Sequence, residues 1–185
     1  PTRGGKPVLD DTLALAQSMS DEAIRNGWQI AGIGISICEL VDPLDNITSE
    51  YTIQWRSLPI RPLFETIAPI VIEADVRAHA LAEARFGDGR SLSDFVFVTV
   101  GTGISSCLVQ KGKPHVGANG NALVLSTMPV TVFDEQGRKI EFALESFSAG
   151  AGLVERYRVH KPEVTRVEEI VADADAGSEV AATIL

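Results

Sequence analysis

Three short stretches carry residue types that could do chemistry. The first is Glu73-Ala74-Asp75, where a short apolar run ends and a helix-forming run begins. A carboxylate at that junction faces the positive end of a helix dipole and can take a proton from a substrate hydroxyl as a general base. Asp75 suits helix capping equally well, so the local residues leave both roles open. The second stretch is Gly101-Thr102-Gly103, between two β-branched runs. Two glycines let backbone N–H groups approach an anion, and the Thr102 hydroxyl adds a donor. A plain hairpin turn accounts for the same residues, and the spacing fits neither a Walker loop nor a dinucleotide fingerprint. The third is Gly117-Ala118-Asn119-Gly120-Asn121. Its residues suit left-handed turns, and its Asn side chains can hold sugar hydroxyls.

Other chemistries lack their residues. His79, His115 and His160 are far apart and form no HExxH or HxxxH spacing, so a histidine metal site is not expected. There is no GxSxG nucleophile turn. Cys38 and Cys107 have no CxxC spacing and read as a pair of buried free thiols in a reducing cytosol. Gly32-Ile33-Gly34 lacks a third glycine and reads as close packing.

The elements that must position these residues follow from periodicity and punctuation. Residues 1–7 read as an extended leader, and Asp10 or Asp11 caps a helix to about Asn26, stopped by Gly27. Trp28 to Ile37 is continuously apolar, which predicts a strand buried on both faces. A loop over 38–50 precedes a short strand at Tyr51–Trp55, a helical turn at 62–68 and a strand at 69–73. Asp75 then opens a helix to Phe86, ended by Gly87. Strands over 95–100 and 104–110 begin an antiparallel meander to Val116. A hairpin pairs 128–133 with 139–144 around Asp134-Glu135-Gln136-Gly137, and a helix follows over 145–159. Thr165 to Glu168 has capping-box form for a helix to Asp175, and Ser178 caps the last helix. Glu168, Glu169, Asp173 and Asp175 read as a solvated helix face.

Composition bounds the partners. The 185 residues are 45% hydrophobic and 22% charged, the balance of an ordinary soluble globular protein. Net charge is -9 and the 16 Lys and Arg are scattered, so this segment is not expected to bind nucleic acid. No apolar run approaches the ~20 residues that span a bilayer, and no signal-peptide h-region follows Arg3 and Lys6. A cytoplasmic location is expected. The chain begins with Pro1, which points to processing or to a piece of something longer.

In order, these pieces resemble the ROK family (repressor, open reading frame, sugar kinase). Its members have a Gly-rich strand, a segment reaching a Trp, and a strand ending in Glu-Asn-Asp with an Ala-rich helix. A GTG hairpin and a Gly-Ala-x-Gly loop follow. The corresponding stretches are IAGIGIS (30–36), IQW (53–55), VIEADVRAHALAEARFG (71–87), VTVGTGIS (98–105), KGKPHVGANGNA (111–122), LESFSAGAGL (144–153) and ADAGSEVA (174–181). The resemblance covers residues from about 8 to 185. It implies an α/β, ribonuclease H-like or actin-like ATPase fold, present in part: the end of an N-terminal lobe over about 8–75, and the start of a C-terminal lobe over about 76–185. It also implies roles: Asp75 as the base, Gly101, Thr102 and Gly103 at nucleotide phosphates, and Glu145, Asn119 and Gly120 at the sugar. An active member would use ATP and Mg. Self-association into a homo-oligomer is the family's habit, and the FVFVTV strand (95–100) lies beside candidate open edges.

Departures from the family pattern are as informative. Its Asn before the base is Ala74 here. The loop that usually continues Ala-Gly-Glu-x-Gly-His reads Ala122-Leu123-Val124-Leu125-Ser126-Thr127. A carboxylate and an imidazole have thus become Val124 and Thr127, and the glycine after Ala has become Leu123. The Cys-x-Cys-Gly zinc element is missing, so no zinc is expected, and Ser105 replaces the second glycine after GTG. The phosphate hairpin and adenosine motif would lie before Pro1 and beyond Leu185. These losses point to a degenerate member with a sugar-sensing or regulatory role. The alternatives are an active zinc-free sugar kinase and the effector domain of a transcriptional repressor.

Overall fold

The computed structural model describes residues 3–134 and 136–185; Glu135 of the expected hairpin turn and the first two residues of the expected leader lie outside the described residues. The chain divides into two compact units. The first holds the residues up to Phe95 together with Leu108–Ala122; the second holds Val96–Cys107 and Leu123–Leu185.

The first unit starts with α1 (Gly5–Arg25), five residues before the expected cap. The cause is tertiary. The Trp55 indole N–H donates to the Gly5 carbonyl at 2.8 Å, and a Cβ on Gly5 would fall 2.1 Å from the Gln54 carbonyl oxygen. A distant tryptophan therefore fixes the helix start, and Pro7 is tolerated because it lies in the first turn. Strand β1 spans only Ile33–Ile37 and pairs in parallel with β2 (Ile70–Ala74), Ile33 opposite Ile70 and Ile37 opposite Ala74. Residues 28–32 face no strand, which shortens the expected one. Burial is one-sided as well: Ile70, Ile72 and Ala74 are buried, whereas Gly34, Ser36 and Val71 are exposed. Tyr51–Trp55 forms no strand. Helix α2 (Ile60–Phe64) covers the core of Leu9, Ile37, Val41, Trp55, Ile60, Phe64 and Ile72. Helix α3 (Asp75–Phe86) matches the expectation at both ends, with Gly87 as its C-cap.

Strands β3 (Phe95–Val100) and β4 (Ile104–Gln110) flank the 101–103 turn as expected. A two-residue β5 (Lys113–Pro114) pairs antiparallel with the end of β4. In the second unit, β6 (Pro129–Phe133) and β7 (Lys139–Ala143) form the expected hairpin, Pro129 opposite Ala143 and Phe133 opposite Lys139. The helix expected over 145–159 is two helices, α4 (Leu144–Ser148) and α5 (Gly150–Tyr157), because Ala149 is extended at φ -83° and ψ 164°. Helix α6 spans Val167–Asp175 and α7 spans Glu179–Ile184. The residue that caps α6 is Glu169, not Glu168: its Oε1 accepts the N–H groups of Thr165 and Arg166 at 3.1 and 3.0 Å. Asp173 is likewise no solvated charge. It accepts the Tyr157 hydroxyl at 2.8 Å and the Lys161 ammonium at 2.8 and 2.9 Å, tying α5 to α6. Ser178 caps α7 through the Ala181 N–H. Cys107 is buried as expected, but Cys38, directly after β1, is exposed; neither is in a disulfide.

Candidate functional site

The expected site residues are shared out between the units. Asp75, Asn119 and Gly120 belong to the first, and Gly101, Thr102, Gly103 and Glu145 to the second.

In the first unit Asp75 is the first residue of α3 and half-buried. Its carboxylate accepts the N–H of Val76 at 2.7 Å, and among the described residues this is its one hydrogen bond. The carboxylate is therefore not consumed in holding the fold together. Two residues along, Arg77 is 5% exposed and fully engaged. Its Nε donates to Glu73 Oε1 at 2.6 Å, Nη1 to the Gly120 carbonyl at 2.8 Å and Nη2 to the Val41 carbonyl at 2.6 Å. One guanidinium thus joins the loop after β1 to the 117–121 loop. Gly120 has to be glycine there: its φ is +77°, and a Cβ would lie 1.9 Å from the Val41 carbonyl oxygen. Asn119 is exposed beside it.

The loop after β1 carries two further carboxylates. Glu39 is buried and accepts the Ser49 hydroxyl and the N–H groups of Tyr51, Thr52 and Ile53, with Tyr51 at 2.9 Å and Ile53 at 2.8 Å. Burial alone pushes its carboxyl up, but these donors outweigh burial and hold it below the usual range. Asp42 closes an Asx-type turn onto Asn46 and Leu44. The Asn46 side chain, then its backbone N–H, are the main causes that hold Asp42 below its ordinary value.

In the second unit the 101–103 turn is held from both sides. The Gly101 N–H donates to the Gly103 carbonyl at 2.9 Å. The N–H groups of Gly150 and Ala151, at the start of α5, donate to the Gly101 and Thr102 carbonyls at 2.8 and 3.3 Å. Helix α5 thus spends its N-terminal donors on the turn. The Thr102 and Gly103 N–H groups have no backbone partner among the described residues. Glu145 reaches the turn too: its Oε2 accepts the Ile104 N–H at 2.7 Å and lies 2.5 Å from where a Cβ on Gly103 would stand. A groove of about 800 Å³ runs from Val100–Thr102 past Gly150 and Leu153 to Arg158 and Arg166. Of the turn, Gly101 and Thr102 line this groove, and the Thr102 N–H and hydroxyl are donors of the type that suits a phosphate group. Among the described residues no cluster of three or more His, Cys, Asp or Glu could hold a metal ion.

The segment after the 117–121 loop is apolar and open. Leu123 is 46% exposed and Val124 41%. Leu123 stands at φ +57°, a left-handed backbone at the position where the family pattern has glycine. Its carbonyl accepts the Ser106 hydroxyl at 2.6 Å. Thr127 is exposed, and its hydroxyl donates back to the Val124 carbonyl at 3.3 Å.

Sequence reasoning missed Arg77 and Glu39. Arg77 lies three residues after Ala74 and three before Ala80, both buried, so its place on the packed face of α3 was the available signal. Glu39 sits in an irregular loop and gave none.

The family model that matches the chain is that of the ROK family, over residues 2–185. A glucokinase of Streptomyces coelicolor is 27% identical over 119 residues, 63% of this chain and 38% of that protein. The ROK hexokinase from Thermus thermophilus superposes with a TM-score of 0.78 at 24% identity, over 100% of this chain and 62% of that one. A ROK family transcriptional regulator, described as a homologue of the E. coli MLC protein, gives 0.78 at 19% identity, over 98% of this chain and 49% of that one. The chain therefore spans less than two thirds of the length of each. The α/β fold is that of the actin-like ATPases, held in part. No helix among the described residues is long and apolar enough to cross a membrane.

Proposed function

The chain belongs to the ROK family, and from that premise we propose that it is a sugar-responsive protein of sugar-kinase descent that no longer transfers phosphate. The observation that carries this reading is the 122–127 segment. Where the family pattern places a glycine, a carboxylate and an imidazole, this chain has Leu123 at φ +57°, an exposed Val124 and a Thr127 bonded to its own turn. Val and Thr cannot serve as the polar hands that hold a sugar while its hydroxyl accepts a phosphoryl group, and each buried sugar hydroxyl left unpaired costs roughly 1–3 kcal/mol. On this reading the protein works in the cytoplasm as a self-associating sensor or regulatory partner, with the sugar as its ligand and without zinc.

Two observations favour a second reading, an active ATP- and Mg-dependent kinase with a rebuilt sugar site. Asp75 keeps a carboxylate with one short-range bond, and the 101–103 turn keeps two free N–H groups. ATP turnover over a panel of hexoses and amino sugars, on the longest chain the source encodes, separates the two. The proposal expects no sugar-dependent turnover from a folded protein that binds a sugar. Turnover that disappears in Asp75→Asn would overturn it.

A further inference from the structure

The β6–β7 hairpin of the second unit is a sheet of two strands, so each strand has an edge with no strand beyond it among the described residues. The two edges differ. The Leu144 N–H donates to the Met128 carbonyl at 2.8 Å, and the Asp134 N–H to the Arg138 carbonyl at 3.1 Å. Bonded pairs alternate along an antiparallel ladder, so Arg138, Ile140 and Phe142 aim their backbone groups at β6. Lys139, Glu141 and Ala143 aim theirs outward, as do Pro129, Thr131 and Phe133 on β6. Pro129 has no N–H to offer, which blunts the β6 edge. The β7 edge carries no such block. Lys139, Ile140 and Glu141 are all exposed along it. The Lys139 and Glu141 side chains, 57% and 62% exposed, pair only with each other there, at 2.6 Å. The hairpin is also held ready. Asp134 accepts the N–H groups of Gln136 and Arg138 at 3.0 and 2.8 Å and the Arg138 guanidinium at 2.6 Å, which fixes the turn. At the other end the Phe142 ring lies 5.4 Å from that of Phe147 on α4.

We propose that the β7 edge pairs, antiparallel, with the β7 edge of a second copy of this chain, Ile140 opposite its own counterpart. This interface rests on the self-associating reading above for its partner and adds the surface. Charge selects both partner and register. With Ile140 on the two-fold axis, Lys139 falls opposite the partner's Glu141, and Glu141 opposite the partner's Lys139. These are outward-facing positions, so each pair exchanges two backbone bonds and sets opposite charges across the strands. The registers on either side set Glu141 against Glu141, or Lys139 against Lys139, and like charges directly opposite repel. The edge is therefore complementary to itself, as a two-fold interface requires. The apolar side gains as well. Val130, Val132, Ile140 and Phe142 share one face of the hairpin, and Ile140, 40% exposed, is its open end. In the pair the two isoleucines meet on that face. A four-stranded sheet then replaces two isolated hairpins, which are weak elements alone. The hairpin occupies the stretch where the family pattern has Cys-x-Cys-Gly, so this edge is a feature of the chain and not of the pattern.

The test is sedimentation equilibrium on the longest chain the source encodes, with Lys139→Glu, Glu141→Lys and the double exchange. Both side chains are exposed, so the fold is expected to survive, and far-UV circular dichroism checks it. Each single exchange sets like charges opposite each other in both symmetric pairs. The expected results are a dimer in the parent, dimerisation at least about tenfold weaker in each single variant, and recovery in the double exchange. An equal mixture of the two single variants is expected to form a heterodimer, because opposite charges face each other again across the strands. Dimers of equal strength in every variant would place self-association on another surface and overturn this one. Loss in the single variants with no recovery in the mixture or the double exchange would overturn the register, and the pairing with it. A parent that stays monomeric would remove the edge and the self-association together, while the turnover assay still judges the sugar-responsive reading.

Discussion

Gly120 and Leu123 lie three residues apart with the same left-handed backbone, at φ +77° and +57°, and they belong to different units. In the first unit the position is still glycine and its surroundings are closed: a buried guanidinium on its carbonyl, the Val41 carbonyl against its Cα. In the second the side chain is leucine, half in solvent, followed by exposed Val124. Both positions take a left-handed backbone, one with glycine and one with leucine. A left-handed residue with atoms packed against its Cα has no substitute for glycine, whereas one that opens to solvent pays only its own backbone strain.

The largest effect that could break this comparison is expected at Gly120. A Cβ there meets a backbone oxygen at 1.9 Å, which no side-chain rotation relieves. Overpacking and backbone strain each cost about 1–3 kcal/mol, so Gly120→Ala is expected to destabilise the first unit by about 4 kcal/mol in urea unfolding. A loss below about 1 kcal/mol would mean that the Val41 loop yields easily, and the contrast with Leu123 would go.

A smaller effect, of opposite character, belongs to Glu39. Its folded pKa is below the ordinary 4.5, so its charged form stabilises the fold. That contribution is complete above about pH 4.5 and is lost as pH falls through the lower folded value. Glu39→Gln is expected to cost roughly 2 kcal/mol near neutral pH, since several bonds to a charged acceptor weaken. The gap between variant and parent should close as acid protonates the parent. A gap that stays constant down to the acid transition would assign Glu39 a packing role.

How much of this was legible in the sequence follows the same division between local and distant causes. Helix α3 could be read at both ends, because Asp75 and Gly87 are local start and stop signals. The β3 and β4 strands and the turn between them could be read for the same reason. The start of α1 could not, since it depends on Trp55 fifty residues away. Nor could the break at Ala149, which exists because Gly150 and Ala151 give their N–H groups to the 101–103 turn. At the candidate site, Asp75 and the glycines declare themselves by type. What holds them does not: Arg77 reaches carbonyls 36 and 43 residues away, and the bond from Ile104 to Glu145 spans 41 residues.

The smallest expected effect sharpens the comparison most. If Leu123 keeps its backbone only because its neighbours impose it, restoring glycine should relieve strain at little loss of packing. A left-handed leucine costs about 1–2 kcal/mol, and glycine returns part of that as chain entropy, about 0.5–1 kcal/mol. Leu123→Gly is therefore expected to stabilise the chain by about 0.5–1 kcal/mol, read as a higher urea midpoint at unchanged slope. The opposite sign would show that the exposed leucine is held by a contact worth more than its strain. The apolar side chains of the 123–128 segment would then be a working surface of the second unit.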